Sequence, residues 1–113
     1  MGVAVLAVAA AGASLLAQGA GQTRNPTLRL AAARPLVVHG LDFQRVERVR
    51  VAARAGETRS VEVVRATRAG SFTATFGAVD YDPCTTSLVV RAIGAAGTTA
   101  TLKVVPRECP PKP

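Results

Sequence analysis

Residues 85–105 carry apolar and polar side chains in alternation on both sides of a glycine-bracketed break, and a cysteine stands at each end of the stretch. Thr86, Leu88, Val90 and Ala92 alternate with Ser87, Val89, Arg91 and Ile93. After Gly94-Ala95-Ala96-Gly97, Ala100, Leu102 and Val104 alternate with Thr99, Thr101 and Lys103. A period of two buries one face of each strand, and two glycines around a short break signal a hairpin. Centring the turn on Ala96 sets Leu88 opposite Val104, Val90 opposite Leu102 and Ala92 opposite Ala100. A one-residue slip would place Val90 against Lys103, which a buried face forbids. The favoured register brings Cys84 and Cys109 to the open end of the hairpin. A disulfide requires Cα atoms within roughly 7 Å, and this topology meets that requirement. Two free buried thiols are the alternative.

The rest of the chain reads as more strands. Thr27–Ala31 is a first strand with Leu28 and Leu30 inward, and residues 31–33 read equally well as a loop. Pro35 opens a second strand, Leu36–Gly40. Gly40-Leu41-Asp42-Phe43 is a turn with Phe43 as its apolar plug. In Val46–Arg54 the inward positions are Val49, Val51 and Ala53, while Arg48 and Arg50 share the other face. Ala55-Gly56-Glu57 turns the chain into Thr58–Ala66. Centring that hairpin on Gly56 pairs Val49 with Val63, Val51 with Val61 and Arg50 with Glu62, and leaves Val64 as a bulge or strand end. Phe72, Ala74 and Phe76 form the inward face of a further strand. No helical period follows residue 24. Seven short strands with turns roughly every ten residues fit an all-β, immunoglobulin-like antiparallel β-sandwich.

Before the strands, Val3–Ala17 is uncharged and apolar apart from Gly12 and Ser14. It falls short of the roughly 20 residues of a comfortable bilayer span and fits the apolar core of a secretory signal. Small residues follow, with cleavage expected between Gly19 and Thr23. The Lys or Arg that ordinarily opens such a signal is missing, and an uncleaved membrane anchor is the alternative. The expected organisation is a signal peptide over 1–21, a linker over 22–26, a sandwich over 27–109 and a proline-rich tail over 110–113. Export agrees with a disulfide. About 90 residues would remain, a length at which a covalent staple matters.

Pro35-Leu36-Val37-Val38-His39-Gly40-Leu41-Asp42-Phe43, followed by Glu47-Arg48-Val49-Arg50-Val51, resembles the opening of bacterial immunoglobulin-like modules of the IPT/TIG sort. There a Pro-led strand enters a Gly-containing turn, a Phe and a Val-x-Val strand. The second glycine usual before the Phe is absent here, and the cysteine pair is not a mark of that family. The resemblance implies a binding or scaffolding role.

The residue inventory is poor in catalytic chemistry. His39 is the single histidine, so any Ser–His or Cys–His site would depend on it. One His and two distant cysteines do not make a zinc set. Asp80 and Asp82 fall short of the six to eight oxygens of Ca²⁺ and read as turn formers before Pro83. The expectation is a non-enzymatic secreted module with no catalytic residue, metal or cofactor.

The formal net charge is +7, and Arg48, Arg50 and Arg65 are the candidate anion-binding residues. Arginine grips phosphate or carboxylate in bidentate fashion. Single-stranded nucleic acid also calls for stacking aromatics, which this face lacks. The expected partner is therefore a protein or an anionic envelope polymer, with peripheral membrane or cell-wall contact compatible and nucleic acid not expected. Two other readings compete: a solvated face with Glu47 and Glu62 interspersed, and Arg and Ala enrichment of the kind a GC-rich genome produces.

Overall fold

The computed structural model describes residues 25–111, so the signal-peptide reading and the end of the tail lie outside the described residues. The elements are β1 (Thr27–Ala33), β2 (Leu36–Leu41), β3 (Arg48–Ala55), β4 (Thr58–Arg65), β5 (Phe72–Phe76), β6 (Leu88–Gly94) and β7 (Thr99–Val104). They form two antiparallel sheets, ordered β1-β2-β5 and β4-β3-β6-β7. The chain crosses between sheets after β2, β4 and β5, giving an immunoglobulin-like sandwich in which the fourth strand joins β3.

Alternation explains the core. Leu36 and Val38 from β2, Val49 and Val51 from β3, Phe76 from β5, and Leu88 and Val90 from β6 are fully buried. Each such side chain contributes about 1.5–3 kcal/mol on leaving water. Phe43 plugs its turn, its ring 5.0 Å from that of Phe72 in an edge-on arrangement. Residues 31–33 continue β1 through an irregularity between Leu30 and Ala32 and do not form a loop. Tyr81, between Asp80 and Asp82, is fully buried and is the largest such side chain.

The β6–β7 register is the expected one, with Leu88, Val90 and Ala92 opposite Val104, Leu102 and Ala100. Cys84 and Cys109 are joined, their Cα atoms 5.6 Å apart. Beside them the Arg107 N–H donates to the Pro83 carbonyl at 3.0 Å, which holds the start of the tail to the loop.

The β3–β4 register departs from expectation by one residue. Val49 faces Val64, Arg50 faces Val63, Val51 faces Glu62 and Ala52 faces Val61. The cause is the turn. Ala55 pairs with Thr58, which leaves a two-residue loop of Gly56 and Glu57, with φ +62° at Gly56. Positive φ at the first loop residue suits a type II′ turn, whose twist matches the strands. The shift reverses β4. Val61 and Val63 point outward, 46% and 60% exposed. Val64 packs against the core and is no bulge, and Glu62 takes an inward, half-buried position.

Candidate functional site

The outer face of the four-stranded sheet gathers the arginines. β3 contributes Arg48, Arg50 and Arg54, separated by the small Ala52. β4 contributes Arg59 and Arg65, and β6 contributes Arg91 beside Val89 and Ile93. β7, the edge strand, adds Lys103 after Thr99 and Thr101 on the same face. No Asp or Glu of these four strands points outward, because Glu62 turns inward and Glu57 is confined to the hairpin turn. Glu47 is buried. Glu47 and Glu62 are therefore not interspersed among the arginines of this face.

The expected set Arg48, Arg50 and Arg65 shares this face. Arg48 and Arg65 are direct cross-strand partners, as are Arg54 and Arg59. Like charges placed directly opposite destabilise a sheet. Two of the guanidinia are tied to backbone. Arg65 Nη1 donates to the Val46 carbonyl at 2.9 Å, and Arg54 Nε donates to that of Gly56 at 3.2 Å. Val46 carries φ +60°, a conformation that costs a β-branched residue energy. The sequence reading missed Arg91 and Lys103 as members of the face. They join it through pairing of β3 with β6, where Ala52 stands opposite Arg91. Outward alternation of Val89, Arg91 and Ile93 was the available signal.

Glu47 has a structural task. Its Oε2 accepts from the Gln44 N–H at 2.8 Å and its Oε1 from the Ala96 N–H at 3.0 Å. The carboxylate thus ties the entry to β3 to the β6–β7 turn. It lies against Gly94, where a Cβ would collide with it.

The other sheet offers a smaller site. Arg29, His39 and Thr73 line up across β1, β2 and β5. His39 Nδ1 lies 2.9 Å from Thr73 Oγ1. A hollow of about 390 Å³ adjoins them, with Arg65, Thr67 and Ser71 on its other wall. A hydroxyl and an imidazole in contact form the first half of a nucleophilic pair. This pair lies exposed on an open strand face, without the water-excluded setting that makes fixed dipoles effective in catalysis.

Among the described residues no three His, Cys, Asp or Glu side chains cluster as metal ligands. Asp82 Oδ1 accepts from the Cys84 N–H at 2.9 Å and closes a side-chain turn. Asp80 faces Arg34 at 3.8 Å, both largely exposed. Burial pushes the Tyr81 hydroxyl above its usual pKa; Arg107 opposes the shift and Asp82 adds to it.

No protein-family model matches the chain, and comparison with curated proteins gives no match.

Proposed function

We propose that the chain is a secreted or envelope-associated, non-enzymatic binding module that attaches to an anionic component of its surroundings through the outer face of β4-β3-β6-β7. The observation that carries this reading is the absence of any outward carboxylate in a sheet face that sets Arg48 against Arg65 and Arg54 against Arg59. Folding gains nothing from opposed like charges, whereas a polyanion neutralises them and draws bidentate bonds from each guanidinium. Neutral sugar rings or bases would call for aromatic platforms, and the outward positions of these strands hold none.

The Cys84–Cys109 disulfide is compatible with an extracellular location, which accords with the apolar N-terminal run. The resemblance of residues 35–51 to IPT/TIG-like modules remains part of this proposal, since the sandwich agrees with it without singling that family out. Absence of catalysis is likewise proposed, on the open setting of His39 and Thr73.

Fractionation of the cell that makes the protein tests the reading. Recovery in a high-salt wash, and its loss to the medium on Arg48→Ser with Arg50→Ser, is expected. Retention that neither salt nor those substitutions alter would overturn it. Turnover that disappears with His39→Ala in a folded protein would replace it with an enzymatic reading.

A further inference from the structure

Along β3 the cationic face is furrowed. Ala52 lies between Arg50 and Arg54 along the strand, and between Val61 and Arg91 across the sheet. Its short side chain leaves a hollow of about 450 Å³, walled by Arg50, Arg54, Arg59 and Arg91 with Val61 and Val89. A second hollow of about 320 Å³ continues it past Arg48, Val63 and Ile93, sharing Arg50. A third, of about 370 Å³, continues it past Gly56 and Ser87, sharing Arg54 and Val89. The shared residues make the three hollows neighbours along β3. The furrow follows the eight residues of β3, which at about 3.4 Å each gives a length of about 27 Å.

We propose that this furrow holds one extended, linear polyanion, its backbone running along β3 and its anionic groups gripped by Arg50, Arg54, Arg59 and Arg91. The proposal rests on the reading of the face as an anion-binding surface, and adds the shape and class of the occupant. Residues two apart on a strand repeat at about 7 Å, so Arg48 and Arg50 stand about 7 Å apart and Arg54 about 14 Å further along the same line, past Ala52. Charges strung along one line suit a polymer that carries anionic groups along its length, such as a phosphodiester, sulfated or uronate chain. A bilayer is a plane of headgroups, and interfacial binding buries a broad apolar surface among them. Here Val61 and Val89 line the walls of the hollow beside the guanidinia, where they pack against the uncharged stretches of a chain.

The test measures affinity of the oxidised full chain by titration calorimetry across a range of NaCl. The probes are long-chain inorganic polyphosphate, tripolyphosphate and phosphatidylglycerol vesicles. Long-chain polyphosphate is expected to bind with a log K that falls against log [salt] at about 0.7 per phosphate neutralised, or about 3 for four arginines. Tripolyphosphate fills one hollow and is expected to bind at least tenfold more weakly. Arg50→Ser with Arg54→Ser is expected to lower polyphosphate affinity at least tenfold and to reduce the slope by about 1.4. Arg34→Ser with Arg107→Ser, off the furrow, is expected to change neither. Both substituted side chains are exposed, Arg50 facing Val63 and Ile93 and Arg54 facing Arg59, and thermal unfolding of the same variants checks that the fold is kept. Equal affinity for tripolyphosphate and the long chain, or tighter binding to vesicles than to polymer, overturns the linear occupant while the cationic face stands. No salt-dependent binding of any probe overturns both.

Discussion

The Glu47 carboxylate, 7% exposed, accepts a hydrogen bond from the Ala96 N–H at 3.0 Å across 49 positions of chain. A buried acid in a strongly basic protein thus serves the fold, and is withdrawn from the surface where it would have neutralised an arginine. Glu47→Ala is expected to cost about 3 kcal/mol, because two N–H groups lose a charged acceptor. Gly94→Ala is expected to cost about 2 kcal/mol, because its Cβ would meet that carboxylate. Denaturant unfolding of both singles and the double variant checks the link. The cost of Gly94→Ala is expected to fall by about 1 kcal/mol or more once Glu47 is gone. Strict additivity would contradict the contact.

The β3–β4 register can be tested by substitution at neighbouring positions. Val63 is 60% exposed and Val64 packs against the core. Val63→Ser is expected to change stability by no more than about 0.5 kcal/mol, and Val64→Ser to cost at least about 1 kcal/mol. The opposite ranking would restore the register centred on Gly56.

Tyr81 is fully buried, and its hydroxyl has no hydrogen-bond partner among the described residues. Tyr81→Phe removes an unsatisfied polar group at unchanged shape and is expected to be neutral or stabilising by about 1 kcal/mol. Tyr81→Ala is expected to cost about 3–5 kcal/mol. Burial raises the folded pKa above the ordinary 10.0, so the folded state keeps its proton after the unfolded chain has released it. Stability is therefore intact below pH 10.0 and falls as pH rises past it. Thermal melts between pH 8 and 11 are expected to show that decline reduced in Tyr81→Phe.

Opening the disulfide restores freedom to a chain segment with a sequence separation of 25. Cys84→Ser with Cys109→Ser is expected to lower stability by about 3 kcal/mol in the chain-entropy account. Urea unfolding of this variant beside the oxidised protein measures the loss.

The β6–β7 register was legible in the sequence because one buried face, cations confined to the other parity at Arg91 and Lys103, and two flanking cysteines all constrained it together. The β3–β4 register was not, because valines at 61, 63 and 64 stand on both parities. The two-residue loop at Gly56 decided between them, and loop length is not written in the alternation. Arg48 and Arg50 were legible as one face because they alternate on one strand, whereas Arg65 shares the parity of Val61 and Val63 and joins that face through the observed register. Arg91 joins that face through β3–β6 pairing, a contact between distant segments that local period does not reveal. Glu47 read as a solvated charge because an acid beside a strand is ordinarily exposed. The Gly94 approach and the Ala96 N–H that bury it come from the far end of the chain.

The most direct measurement is a map of backbone amide shifts by NMR as long-chain polyphosphate is titrated into the protein at low salt. Perturbations are expected to gather on Arg50, Ala52, Arg54, Arg59 and Arg91 along the outer face of β3 and its neighbours, and to fade with added NaCl. Perturbations gathered on Arg29, His39 and Thr73, or none at low salt, would contradict the assignment of that face as the anion-binding surface.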